Sequence, residues 1–186
     1  LKSGVCPEHS FAFAGYAFFV TEFGRQTGGV LDEAAGVLRF SKAIQESGDV
    51  FYSARIRLIQ SGLINNWRED QLHSIDDLLD GYKEGNRYGD FEYALYCAAI
   101  AVCLKLTRGA SLSEIKRTAY VPLLQAREYK QFSTLSNLSL IQQFSDSLSG
   151  NLSEDSTLDN VPLLGGFWKV FGRFPEAAGA HISKYL

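Results

Sequence analysis

The chain has 186 residues, 46% apolar and 21% charged, which is the composition of a globular protein and excludes a disordered one. A formal net charge of −3 excludes a strongly basic surface, so we expect no nucleic-acid partner. Three cysteines are too few for a disulfide framework and indicate buried thiols in a reducing compartment, so we expect a cytoplasmic protein. The longest apolar runs, residues 11–20 and 94–104, are too short to span a membrane.

The sequence contains no methionine, and residue 1 is a leucine. Because a translation product starts with methionine, we expect the chain to be an excised part of a longer protein. This expectation favours a regulatory or structural segment over a complete enzyme.

Apolar residues recur at the 3.6-residue spacing of helices along residues 1–150, and the alternation typical of strands is almost absent. Short glycine-rich or polar loops are predicted at residues 24–29, 65–70 and 108–111. Helices of roughly 15–20 residues joined by such short loops predict an array of antiparallel helical hairpins.

The first helices of successive hairpins repeat at an interval of 40 residues. The repeated positions are Phe11, Phe51 and Phe91, then Ala14, Ala54 and Ala94, then Phe18, Leu58 and Ala98. Because these positions are spaced i, i+3 and i+7, they predict the same buried face on each helix. The small alanine side chain would let a neighbouring helix approach closely. A fourth first helix is predicted from about Phe132 through Leu135, Leu138 and Ile141.

The second helices repeat at intervals of 40 or 41 residues. Their positions are Leu31, Leu72 and Leu112, then Ala34, Ile75 and Ile115, then Leu38, Leu79 and Ala119. Helix caps are predicted at Asp49 and Asp90 in the first helices, and at Asp32, Asp70 and Ser111 in the second.

The predicted fold is all-α, a right-handed tetratricopeptide-like α-solenoid of about three and a half hairpins in residues 1–150. An acidic, serine-rich loop is predicted at residues 151–160, and a short aromatic helical tail at 161–186.

Few residues indicate chemistry. The sequence has no glycine-rich phosphate loop, nucleophile elbow or zinc-protease motif, so we expect no catalytic residue, cofactor or metal. Cys97 and Cys103 lie about 240° apart around one helix, which favours core packing over metal binding. His73 lies one turn from Asp76 and Asp77, a spacing that acid–base catalysis could use, although a solvated helix face explains it more simply.

Candidate partner-binding residues lie beside the repeated face of the first helices. They are Tyr52, Arg55, Arg57, Glu92 and Tyr96, with Tyr93 between the last two. In stacked hairpins the first helices line the concave groove, and tyrosine and arginine supply much of the binding energy of interfaces. Packing between repeats is the alternative explanation, above all for Tyr93 and Tyr96.

Three motifs of the repeat are LDGYKEG at residues 79–85, GDFEYA at 89–94 and LSEI at 112–115. With the opening LKSG and FAFAGY at residues 11–16, they resemble the helical-repeat region of very large signalling proteins of bacteria and diatoms. Those proteins carry an AAA-type ATPase module before their tetratricopeptide-like helices. Many also have a serine/threonine kinase domain in front and a sensor histidine kinase or cyclase behind. The resemblance covers residues 1–165 and implies a regulatory, scaffolding segment with catalysis in neighbouring domains. None of that family's nucleotide-binding or phosphotransfer residues falls on this chain.

The sequence therefore predicts a non-catalytic segment that binds a protein segment or the attached ATPase or kinase domains. Two alternatives remain open. One is a small all-α enzyme that uses His73 with Asp76 or Asp77, and the other is a purely structural spacer.

Overall fold

A computed structural model describes residues 6, 8–23, 29–46, 51–67 and 70–150. Over these residues the chain forms seven helices that pack as consecutive antiparallel pairs, without strands. Six of them are α1 (Glu8–Phe23), α2 (Val30–Glu46), α4 (Gln71–Tyr88), α5 (Phe91–Thr107), α6 (Leu112–Glu128) and α7 (Phe132–Leu148). The all-α prediction and the order of the hairpins are confirmed. The loop predicted at residues 151–160 and the tail at 161–186 lie outside the described residues.

The third helix changes its winding along its length. It starts as α3 (Ser53–Arg57), continues as a π-helical segment (Leu58–Ile64) and ends in a 3₁₀ turn (Asn65–Trp67). The loop predicted to start at residue 65 therefore starts later, because the chain is still helical there. Gly62 lies buried in the π-helical segment, and a Cβ at this position would stand 3.4 Å from the side chain of Ile100. Any side chain larger than a methyl group would therefore press on α5.

The repeated small residues form a contact line along successive hairpins. Ala14, Ala54 and Ala94 are all fully buried, which confirms the prediction drawn from their spacing. Opposite Ala54 and Ala94, Gly85 of α4 approaches so closely that a Cβ there would lie 2.8 Å from the Cβ of Ala94 and 3.0 Å from that of Ala54. The same column continues in α7 with Thr134, which is also buried. The alanines thus let α4 pack against both neighbouring first helices.

The apolar core is divided into three clusters, and each takes residues from both helices of one hairpin and from the first helix of the next. The first holds Ala14, Ala17, Ala34, Leu38, Ile56, Ile59 and Ile64; the second Ala54, Ile75, Leu78, Cys97, Ala101 and Leu104; the third Ala99, Val102, Ile115, Ala119, Leu138 and Ile141. Burial of apolar surface is the main force that stabilises a fold. Each hairpin is therefore held by its neighbour, as in a stack of repeats.

The buried face of α4 differs from the predicted one. Leu72 is 48% exposed, and Leu78 rather than Leu79 is fully buried. The helix packs against both α3 and α5, so its buried face includes the small residues Gly81 and Gly85. Hydrophobicity alone gives glycine no weight, so the apolar pattern did not place Gly81 and Gly85 on the buried face.

The helix caps agree only in part with the prediction. Asp70 accepts the backbone N–H of Leu72 at 3.0 Å, and Ser111 accepts that of Glu114 at 3.3 Å, so both predicted caps are confirmed. Asp90 stands at the N-cap position of α5, but its side chain makes no capping hydrogen bond.

Two further cap predictions have different outcomes. Asp32 lies in the first turn of α2, two residues after its start, and therefore does not occupy the N-cap position. In this position its carboxylate can still interact favourably with the positive end of the helix dipole. Asp49 lies outside the described residues.

Candidate interaction surface

Arg55 lies at the centre of the surface formed by the first helices α1, α3 and α5, where aromatic rings surround it. Its guanidinium carbon is 4.4 Å from the ring centroid of Tyr93 and 5.3 Å from that of Tyr52. The centroids of Phe11 and Phe51 follow at 5.3 Å and 5.6 Å. A cation at these distances is attracted to the electron-rich faces of the rings. One side chain of α3 therefore contacts residues of both neighbouring first helices.

A carboxylate completes the surroundings of this arginine. Nε of Arg55 donates to Oδ2 of Asp90 at 2.7 Å, and Nη2 donates to Oδ1 at 3.3 Å. This hydrogen-bonded pairing is the main reason that the pKa of Arg55 is raised above its ordinary value. Asp90 is only 5% exposed, so its charge needs a partner, and the two-pronged contact with arginine supplies one. The same contact explains why Asp90 does not cap its own helix.

Arg57 belongs to a second polar network, between α3 and α4. It donates from Nη2 to Oε1 of Glu84 at 3.1 Å and also binds Asp77. Ser61 donates to Oδ2 of Asp77 at 2.5 Å, and Ser53 donates to Glu84. Burial lowers the pKa of Arg57, but the two carboxylates outweigh this effect and the pKa is raised. The network joins the two helices of the second hairpin with a polar contact.

The predicted partner-binding residues therefore divide into two groups. Both arginines are engaged inside the array, and Tyr52 is half-buried with its ring stacked on Phe11 at 5.9 Å between centroids. Packing between repeats, the alternative explanation, describes Tyr52 and Arg55, whereas the contacts of Arg57 lie within the second hairpin. Their role in binding a partner stays a prediction.

Glu92 and Tyr96 of α5 are more open to solvent. Glu92 is exposed, and the hydroxyl of Tyr96 donates to its Oε1 at 3.0 Å. Partial burial, together with the hydrogen bond to this carboxylate, raises the pKa of Tyr96. The ring of Tyr96 also packs edge-on against Tyr93 at 5.8 Å, which links it to the surroundings of Arg55. We define Glu92, Tyr96 and Tyr93 as the α5 surface, the part of the predicted groove that a partner could reach.

The residues of the alternative catalytic site lie in different environments. His73 and Asp76 are exposed on α4. Asp77 is 19% exposed and is bound by Arg57 and Ser61, so the prediction of a solvated face is wrong for this residue. Both of its oxygens are engaged, Oδ1 by Arg57 and Oδ2 by Ser61. Of the two aspartates proposed to act with His73, only Asp76 is exposed.

A cleft of about 370 Å³ opens beside these residues, where α4 meets the turn between α5 and α6. Its lining residues are Leu72, Ile75, Asp76, Lys105, Arg108, Gly109, Ala110 and Glu114. Lys105 binds Glu114 at 2.6 Å, and this hydrogen bond is the main reason that the pKa of Glu114 is lowered. Arg108 binds Asp70 at 2.6 Å at the rim. Because both of its cations are paired with carboxylates, the cleft has no excess charge to select a ligand.

The two helical cysteines lie in the core, as predicted. Cys97 is buried, its thiol donates to the carbonyl of Ala54 at 3.2 Å, and burial raises its pKa. Burial also raises the pKa of Cys103. Such thiols are weak nucleophiles. Among the residues that the structure describes, no three His, Cys, Asp or Glu side chains are grouped so that they could hold a metal ion.

Within the described ranges, no helix combines the length and the apolar character needed to cross a membrane. Comparisons of the chain with protein families, with curated proteins and with solved structures find no match. Conclusions about function therefore rest on the geometry of this chain.

Sequence reasoning missed the three carboxylates of these networks, Asp90, Asp77 and Glu84. Asp90 was assigned to a helix cap and Asp77 to a solvated face. One signal was present in the sequence: the aromatic positions 11, 51 and 91 repeat in the first helices, and Arg55 lies one turn after the second of them. A cation placed among repeated aromatic residues indicates an internal contact, and such a contact needs a counter-ion.

Proposed function

We propose that this chain is a non-catalytic, tetratricopeptide-like segment of a larger cytoplasmic signalling protein that binds a protein segment on its first helices. The observation that supports this proposal best is the division of the core into three clusters shared between successive hairpins. A stack of this kind presents an extended row of helices rather than one closed pocket. The family resemblance of the repeat motifs suggests attached ATPase or kinase domains as further partners.

The α5 surface is the proposed centre of binding. It combines two half-buried tyrosines with an exposed carboxylate, and tyrosine is enriched among the residues that dominate binding energy. The Arg55 contacts hold α1, α3 and α5 together behind it. A bound segment could therefore favour one arrangement of the hairpins over another, and attached domains would sense that change.

Peptide-display selection on the immobilised chain tests this proposal. Selected peptides are then titrated against the wild type and against Glu92→Lys. The matched control is Glu33→Lys, because both glutamates are exposed and lie in the first turn of their helices, α5 and α2. We expect Glu92→Lys to weaken binding about tenfold, which is about 1.4 kcal/mol, while Glu33→Lys leaves the affinity unchanged. Selection of no peptide, or equal losses in both variants, would contradict the proposal.

A structural spacer is the second candidate, and one observation favours it. Arg55 and Arg57 both use their charges in ion pairs inside the array. A spacer needs such internal contacts and no open binding surface. The same selection experiment separates the two functions, since a spacer would select no peptide.

A further inference from the structure

The start of α5 holds two pairs of residues in which a tyrosine follows a carboxylate by about one helical turn. Asp90 precedes Tyr93 by three residues, and Glu92 precedes Tyr96 by four. Residues three or four apart are neighbours on a helix surface, so each pair places an anion beside an aromatic ring. The two pairs differ in what they contact.

The first pair shows what such an arrangement binds. Arg55 donates two hydrogen bonds to Asp90, at 2.7 Å and 3.3 Å, and its guanidinium carbon lies 4.4 Å from the ring centroid of Tyr93. Arginine suits both partners at once, because its planar guanidinium forms paired hydrogen bonds with a carboxylate and stacks on an aromatic face. The first pair is therefore an arginine site, occupied by a side chain of the same molecule.

The second pair is open to solvent. Glu92 is exposed, and among the described residues its carboxylate meets the hydroxyl of Tyr96, at 3.0 Å, rather than a cation. That hydroxyl donates to Oε1. An ionised carboxylate accepts hydrogen bonds at both oxygens, so Oε2 remains for a donor of another molecule.

The charges of the first helices favour a basic partner. The described parts of α1, the third helix, α5 and α7 hold three lysines or arginines. Each is bound by a carboxylate: Arg55 by Asp90, Arg57 by Asp77 and Glu84, and Lys105 by Glu114. Glu92 has no such counter-ion among the described residues. A segment that carries a positive charge therefore complements the α5 surface.

We propose that the protein segment bound on the first helices carries an arginine, whose guanidinium binds the carboxylate of Glu92 and stacks on the ring of Tyr96. This inference rests on the proposed function and names the side chain that the α5 surface recognises. The ring of Tyr96 is held in place by its edge-on packing against Tyr93, with centroids 5.8 Å apart. Tyr93 is in turn held by Arg55, so the open site is built on the occupied one.

The peptides selected from a random display library test the arginine. The inference adds to the proposed function that arginine is enriched at one position of the peptides that bind. In a selected peptide, citrulline keeps the shape of that arginine but removes its charge, and this replacement should weaken binding about tenfold.

Glu92→Gln locates the contact on the protein. This variant should weaken binding of the arginine peptide about fivefold and leave the affinity of the citrulline peptide unchanged. The matched control is Glu33→Gln, another exposed glutamate in the first turn of a helix, and it should change neither affinity. Because both side chains are exposed, neither variant should alter far-UV circular dichroism.

Tyr96→Leu tests the stacking, since it removes the ring and keeps the carboxylate of Glu92. The wild type should bind the arginine peptide about threefold more tightly than the same peptide with lysine, and Tyr96→Leu should bind both alike. Equal affinities of the wild type for the two peptides would overturn the stacked contact.

The proposed function and this inference fail in different ways. If the library yields no binding peptide, the proposed function is wrong and the inference falls with it. If peptides bind but are not enriched in arginine, the inference alone is overturned. A citrulline peptide that binds as tightly as the arginine peptide would overturn it as well.

Discussion

Replacing Gly85 by alanine tests the close approach of α4 to the first helices. A Cβ at this position would lie 2.8 Å from the Cβ of Ala94, 3.0 Å from the Cβ of Ala54 and 3.1 Å from the Cα of Ala94. These atoms belong to the backbone or are bonded directly to it. A change of side-chain rotamer therefore cannot relieve the contacts, and a whole helix must move.

Two opposing effects determine the expected change in stability. Alanine is about 1 kcal/mol better than glycine inside a helix. Overpacking a core costs about 1–3 kcal/mol, and contacts with two helices at once place Gly85→Ala near the upper end of that range. We expect a net loss of about 2 kcal/mol in the free energy of unfolding, or a fall of about 4–8 °C in Tm for a chain of this size.

Gly15→Ala in α1 is the matched control, because no atom lies within 4 Å of a Cβ built at this position. Only the gain in helix propensity remains, so this variant should be about 1 kcal/mol more stable than the wild type. Urea unfolding followed by far-UV circular dichroism measures both changes. If Gly85→Ala stabilises the chain as Gly15→Ala does, the small residues do not form a contact line between α4 and its neighbours.

Three further substitutions test local contacts. Thr134→Val should raise the free energy of unfolding in urea by about 1 kcal/mol, because the buried hydroxyl has no hydrogen-bond partner; a loss would show that the hydroxyl is paired. Ser111→Ala should lower it by about 1 kcal/mol through loss of the α6 cap, and an unchanged value would contradict the cap. Asp70→Ala should lower Tm at pH 7. Hydrogen bonds from the Leu72 N–H and from Arg108 lower the pKa of Asp70 below its ordinary 3.8. The ionised carboxylate therefore stabilises the fold above pH 3.8. The difference in Tm between the variant and the wild type should disappear as the pH falls through the folded pKa. A difference that persists in acid would exclude this origin.

The helices and their pairing could be predicted because the apolar pattern repeats. Ala14, Ala54 and Ala94 are buried as their spacing indicated, and α7 begins at the predicted Phe132. The π-helical segment could not be predicted in this way. Within it, a Cβ on Gly62 would lie 3.4–3.5 Å from Ile100 and Leu78, side chains of two other helices, and the apolar pattern does not contain such contacts.

The contacts of the candidate site residues could be predicted less well than the fold. Sequence reasoning selected Arg55 and Arg57 as partner-binding residues, and that role stays a prediction. It did not predict that both bind carboxylates of other helices. Residue type shows that an arginine needs a counter-ion, but sequence alone does not show that Asp90, 35 positions later, comes within 2.7 Å. Contacts between distant residues follow from the packing of helices, and a local pattern does not contain them.

Hydrogen–deuterium exchange of the chain with a selected peptide tests most directly where the proposed partner binds. The measurement compares the free and the peptide-bound chain, helix by helix. The account predicts slower exchange in α5 around Glu92 and Tyr96, with a smaller effect in α3, which the Arg55 contacts join to α5. Protection confined to the second helices α2, α4 and α6 would contradict it, as would a bound peptide that leaves the exchange of α5 unchanged.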